Sequence, residues 1–83
     1  MFKGLKRPPE ADIAQALAAF DQLARPMRPQ VSDVEVAAKL GWLRNRALLA
    51  LMANADDGVL SWHDVPRGQP PEAWFKRVEA RVR

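Results

Sequence analysis

The stretch SDVEVAAKLGWLRNRALLALMANADDGVL, residues 32–60, decides the fold of this chain. Ser32 is a favoured helix N-cap, and Glu35 follows three residues later. The Ser32 side chain can therefore accept from the Glu35 amide, and the Glu35 side chain can accept from the Ser32 amide, as a capping box. Apolar residues then recur at helical spacing as far as Leu40. Gly41 comes next, at a position where a helix end favours a left-handed residue. The sequence therefore predicts a short helix that begins after Ser32 and ends at Gly41.

A second helix is predicted from about residue 43 to residue 55, because this segment is rich in Leu, Ala, Met and Arg and contains no helix breaker. Its apolar side carries Ala47, Leu48, Leu51, Met52 and Ala55. Two helices joined by so short a glycine-containing turn are expected to cross steeply, which is helix-turn-helix geometry. The Asp-Asp-Gly run at residues 56–58 predicts the turn that ends the second helix.

An earlier helix is predicted from Pro9 to about Ala24, because proline suits the first turn of a helix. Its apolar face carries Ile13, Leu17 and Phe20 at helical spacing. The two prolines within residues 25–30 predict an extended connector, since neither neighbouring helix can run through them. Residues 1–8 are interpreted as a basic N-terminal arm, and residues 9–83 as a single domain.

Downstream of the turn, residues 59–65 have a β-type composition with partial alternation, and residues 66–71 are predicted to form a loop. Residues 72–83 are open to two interpretations. As a strand, Trp74 and Phe75 would return beside residues 59–63 and complete a hairpin. As a helix, Trp74, Val78 and Val82 would recur at steps of four. The content of Glu, Ala, Lys and Arg favours the helix.

Composition excludes several classes of protein. The 83 residues include 13 basic and 10 acidic side chains, for a net charge of +3, and no cysteine. The chain is therefore expected to form one small domain without disulfides or thiolate metal sites. No apolar run is long enough to span a bilayer, and no apolar segment follows the basic N-terminus as in a secretory signal. We expect a cytoplasmic protein that does not enter a membrane.

These residues resemble the winged helix-turn-helix domains of bacterial and phage DNA-binding regulators. The residues that match that family's pattern are Ser32, Glu35, Val36, Ala37, Leu40 and Gly41, followed by Gly58, Val59 and Leu60 at the expected distance. The resemblance covers about residues 10–65. It implies a mainly α fold with a small β-hairpin, in which a three-helix core carries a wing and residues 72–83 form either an added helix or a wing strand.

The resemblance implies duplex DNA as the partner, read in the major groove by the start of the second helix of the pair. Arg suits guanine and Asn suits adenine, because each offers two matched hydrogen bonds. The predicted DNA-binding residues are Ser32, Lys39, Arg44, Asn45, Arg46, Arg67, Lys3, Lys6 and Arg7. The expected function is a small regulator of transcription or of a mobile element, acting as a homodimer on two half-sites.

A protein-interaction module is the alternative function. The second helix of the pair starts with apolar residues, and tryptophan is enriched at protein interfaces. The predicted interface residues are Trp42, Leu49, Trp74, Val78 and Val82. An enzyme is not expected, because His63, the only histidine, and Asp64 would point to opposite faces of a strand. No cofactor and no metal site are predicted.

Overall fold

The helices and strands of the protein are seen in a computed structural model that describes residues 6–63 and 72–78. These residues form a small α+β domain with three helices and one three-stranded antiparallel sheet. The elements in chain order are α1 (Glu10–Leu23), β1 (Val31–Ser32), α2 (Asp33–Leu40), α3 (Arg44–Asp56), β2 (Leu60–His63) and β3 (Trp74–Arg77).

Helix α2 begins and ends as the sequence predicts. The Glu35 amide donates to the Ser32 hydroxyl at 3.2 Å, and the Ser32 amide donates to a Glu35 carboxylate oxygen at 3.0 Å, so the capping box is complete. Gly41 ends the helix in the left-handed region, with φ of 69°. Two residues later, Leu43 is the N-cap of α3, and no side chain caps that helix.

The core lies where the three helices meet one face of the sheet. Its side chains include Ala16 and Phe20 of α1, Val36 of α2, Leu51 of α3 and Phe75 of β3. The buried Asn54 ties α3 to α1, because its amide nitrogen donates to the carbonyl oxygens of Ile13 and Ala50 at 3.1 and 3.0 Å. This packing fixes the orientation of α3 relative to α1.

The sheet has β3 in its centre, with strand order β1-β3-β2. Phe75 pairs with Val31 of β1 on one side and with Trp62 of β2 on the other. The prediction that residues 59–65 contain a strand is confirmed by β2. Residues 64–71, between β2 and β3, lie outside the described ranges, as do Lys3 and Val82; Arg67 and the predicted loop at residues 66–71 fall within that segment.

The helix favoured for residues 72–83 is wrong where the structure describes this segment. Trp74–Arg77 is a strand, and Phe75 is fully buried in the core. Strand β3 satisfies the backbone groups of two other strands at once, and this tertiary pairing outweighs the local helix propensity. The predicted helical stripe of Trp74 and Val78 therefore does not form.

Replacing Gly41 should destabilise the domain through backbone strain alone. A Cβ added at this position would meet no atom within 4 Å, so the whole cost comes from the positive φ. We expect Gly41→Ala to lower the free energy of unfolding by about 1–2 kcal/mol, measured by urea denaturation. Gly41→Asn should lose less, because Asn tolerates this conformation. Equal losses for the two variants would contradict this account.

Candidate nucleic-acid interface

The first turn of α3 carries three consecutive polar side chains on the surface: Arg44, Asn45 and Arg46. The αL turn at Gly41 and the N-cap at Leu43 set their position at the end of the helix. The predicted cluster is therefore at the exposed, leading end of the second helix of the pair. The sequence does not predict that each of the two arginines is paired with a carboxylate of its own domain.

Arg46 is held by two groups from different parts of the chain. Its Nε and Nη2 donate to the two carboxylate oxygens of Asp12, on α1, each at 2.9 Å. Its guanidinium carbon also lies 4.0 Å from the ring centre of Trp42, a cation–π contact. The Arg46 side chain is 51% exposed and that of Asp12 only 13%. The guanidinium therefore covers the carboxylate and faces solvent.

Arg44 has the same relation to a more deeply buried acid. Its Nε donates to Asp33 at 2.7 Å, and the Arg44 side chain is 48% exposed while that of Asp33 is fully buried. The Asp33 carboxylate also accepts from the backbone amides of Val34 at 2.9 Å and Ala73 at 3.1 Å. A buried carboxylate needs several donors, and here α2, α3 and the residue before β3 supply them.

The pair formed by Asp12 and Arg46 is ionic. Hydrogen bonds from Arg46 outweigh the opposing effect of desolvation and hold the pKa of the Asp12 carboxyl below its ordinary value. The same bonds raise the pKa of Arg46, and the bond to Asp33 raises the pKa of Arg44. The first turn of α3 thus carries two guanidinium groups, each paired with a carboxylate that is less exposed than the guanidinium itself.

Ser32 is a correction to the predicted DNA-binding set. It is fully buried, and its hydroxyl accepts from the Glu35 amide and donates to Glu72 at 2.7 Å. It cannot reach a nucleic acid, because it caps α2 and anchors the chain just before β3. Sequence spacing identifies the cap correctly but cannot show that a residue 40 positions away covers it.

The other predicted cations divide into two groups. Lys6 and Lys39 are exposed and form no ion pair with the described residues. Arg7 is engaged instead, because it donates to Glu10 at 3.1 Å and to both carboxylate oxygens of Asp57 at 3.1 and 2.8 Å. Arg7 therefore attaches the start of the described chain to the end of α3.

The predicted protein-interface residues are dispersed. Trp42 is half-buried beneath Arg46, and Leu49 is half-buried on α3. Trp74 is half-buried in β3, with the Arg28 guanidinium 6.0 Å from its ring centre. Val78 is exposed just after β3. The most exposed apolar side chain of the helix pair is Leu43, which is not among the predicted interface residues.

Asp12 and Asp33 are the site residues that sequence reasoning missed. Each lies in the first turn of a helix, where an acid is ordinarily explained by the helix dipole. The available signal was the presence of two arginines in the first turn of α3, where the dipole disfavours cations and therefore calls for nearby acids.

Two further properties concern residues 6–63 and 72–78 only. In this part of the chain no helix is both long and apolar enough to cross a membrane. The same residues contain no group of His, Asp and Glu side chains that could hold a metal ion.

Comparison of the chain with protein-family models, curated proteins and solved structures gave no match. The function is therefore argued from the geometry of the domain.

We call the ion pairs that Asp12 forms with Arg46 and Asp57 forms with Arg7 clamps. Acid should weaken both clamps, because hydrogen bonds from the arginines are the main cause that lowers the pKa of each aspartate. A carboxyl with a lowered pKa stabilises the fold above its unfolded pKa and ceases to do so as the pH falls through its folded pKa. We expect Asp12→Asn to be less stable than the wild type near neutral pH, with the difference shrinking below about pH 4.

Urea denaturation of both proteins across this pH range measures the effect, and Asp57→Asn should behave in the same way. Asp56→Asn is the control, because Asp56 is exposed and forms no ion pair with the described residues. A constant difference between wild type and Asp12→Asn down to about pH 2 would show that the clamp is not ionic.

Proposed function

We propose that this chain is a winged helix-turn-helix domain that binds duplex DNA with the first turn of α3. The element order α1-β1-α2-α3-β2-β3 and the strand order β1-β3-β2 support this proposal, because a short sheet follows a pair of helices joined by a tight turn. In such a domain the second helix of the pair enters the major groove with its N-terminal residues towards the bases. The cytoplasmic location and the role as a regulator of transcription or of a mobile element belong to this proposal.

One observation supports DNA binding more than any other: two arginines occupy the positive end of α3. A helix dipole disfavours cations at the N-terminus, so α3 itself gains no stability from having Arg44 and Arg46 in its first turn. The domain holds them in place with carboxylates that are themselves covered. An arrangement that presents guanidinium donors at a surface above covered carboxylates suits a partner that offers hydrogen-bond acceptors, as the base edges of duplex DNA do.

The side chains of this turn match the edges of bases. Arg46 donates from Nε and Nη2 to Asp12, while its Nη1 forms no bond with a described residue, so donors remain at the outer end of the guanidinium. The exposed Asn45 amide can pair with adenine, and arginine with guanine. Lys39 and Lys6 are assigned to phosphates, and Lys3 and Arg67 stay predictions for residues outside the described ranges.

Duplex binding predicts different effects for Asn45 and for a distant amide. If Asn45 reads a base, Asn45→Ala should cost about 1–3 kcal/mol on a duplex that the wild type has selected from a random library. It should leave binding to the random pool almost unchanged, because phosphate contacts are kept. Gln15→Ala, which truncates an exposed amide on α1, is the matched control.

Fluorescence anisotropy with labelled duplexes at about 50–200 mM salt separates the contribution of base contacts from that of phosphate contacts. Sedimentation of the complex reports whether two copies bind one site, as the proposed homodimer requires. The absence of binding to any duplex at the lowest salt would overturn the proposed function.

A protein-interaction role is the second candidate, and Leu43 is the observation that favours it. This side chain is 83% exposed at the start of α3, and the same helix carries the half-buried Leu49. Burial of this exposed leucine against the apolar surface of a partner protein would be favourable.

Leu43→Glu tests this second role without disturbing the core. If α3 docks onto a protein, immobilised wild-type chain should retain one stoichiometric partner that the Leu43→Glu chain does not retain. Met27→Glu is the control, because it introduces the same charge at a more exposed apolar residue on the connector. Retention of the partner by all three chains would exclude a docking role for Leu43.

A further inference from the structure

Helix α1 carries two aspartates that pair with arginines in different ways. Asp12 is largely covered, and its Arg46 partner belongs to the first turn of α3. Asp21 is 48% exposed, and its partner is Arg77 of β3, with oxygen–nitrogen distances of 3.3 Å. The two aspartates are nine residues apart, or about 13 Å along the helix axis. Among the described residues, the two least exposed acids that pair with arginines are Asp12 and Asp33, next to the start of α3.

We propose that Asp12 and Asp33 are specificity-determining positioning residues: they are built-in counter-ions that hold Arg46 and Arg44 as directional hydrogen-bond donors while cancelling their net charge. This inference rests on the function proposed above. It adds that the first turn of α3 discriminates between base sequences because its attraction to phosphates is suppressed.

The physical argument begins with the salt dependence of DNA binding. A cation that neutralises a phosphate releases a condensed counter-ion, so that each such contact steepens the dependence of log K on log salt by about 0.9. An arginine that already neutralises a fixed carboxylate adds little to this release. Arg46 still has Nη1, which bonds to no described residue, and a donor there can form a bond with guanine that depends on the base.

The clamps also restrict the direction of the guanidinium groups. Arg46 is fixed by two bonds to Asp12 and by the Trp42 ring, and these contacts limit the rotamers of a long side chain. Arg44 is fixed by Asp33, whose other bonds join it to α2 and to Ala73. Preorganised donors lose less conformational entropy when they meet a correctly placed acceptor. They also adapt less easily to a wrong one.

Asp12→Asn is the decisive variant, and Asp21→Asn is its matched control. Both raise the net charge by one and remove one arginine–aspartate pair from the same helix. Asp12→Asn should bind a random-sequence duplex about eightfold more tightly near 0.1 M salt, with a salt slope steeper by about 0.9. Its preference for the selected duplex over the random one should fall by at least the same factor. Asp21→Asn should change neither the affinity for the random duplex nor the preference for the selected duplex by more than about twofold.

Two more variants guard against a loss of folding. Asp12→Glu restores the negative charge and should return the slope and the preference towards wild-type values. Asp33→Asn acts through Arg44 and should change both quantities in the same direction as Asp12→Asn. Circular dichroism shows which variants are folded, and either asparagine variant suffices for the test.

The outcomes separate this inference from the proposed function. If the wild type binds a selected duplex but Asp12→Asn keeps its slope and preference, or merely binds both duplexes more weakly, the carboxylate is only a structural clamp and the inference fails. Equal changes in Asp12→Asn and Asp21→Asn would reduce the effect to overall charge and also overturn it. If no folded protein binds any duplex, the proposed function fails and this inference fails with it.

Discussion

The Asp33 carboxylate is the interaction on which the arrangement of this domain depends. It accepts hydrogen bonds from the start of α2, from Arg44 at the start of α3, and from Ala73 just before β3. The Asp33 amide donates to the Ala73 carbonyl in return. Because the carboxylate is fully buried, losing any of these donors would leave a charge incompletely solvated. The helix pair and the returning strand are therefore fixed relative to each other by one side chain.

The electrostatics of α3 follow from this constraint. A helix without a side-chain cap and with arginines in its first turn is unfavourable by itself, and acids from α1 and α2 compensate it. The compensation is asymmetric, since the acids are covered and the guanidinium groups are half exposed. The surface at the start of α3 therefore offers hydrogen-bond donors with little net charge. This property distinguishes it from a basic patch made of lysines.

The parts of the fold that local chemistry determines could be predicted from the sequence. Ser32, Glu35 and Gly41 define both ends of α2, and the breaker-free segment after Gly41 gives α3. Strand β3 is one of two interpretations of residues 72–83, and the pairing of Trp74 and Phe75 with β2 confirms it. The overall composition of that segment favours the helix over it, and the second partner, Val31, lies 44 positions before Phe75. Long-range pairing decides such a segment, and a single sequence does not reveal it.

The same distinction applies to the candidate site. Arg44, Asn45 and Arg46 follow from the position of α3, and the structure places all three at the surface. Their acidic partners depend on tertiary structure, since Asp12 is 34 residues from Arg46. The burial of Ser32 likewise depends on Glu72, which only the folded chain brings near.

The strand order has a consequence for how the domain is made. Strands β1 and β2 touch each other only through β3, which comes last among the described strands. While the protein emerges from the ribosome, neither early strand has a partner, and the pocket for Phe75 stays open until that residue arrives. The helices can assemble first, whereas pairing of the described strands requires β3. Formation of the sheet should therefore begin only after β3 has left the ribosome.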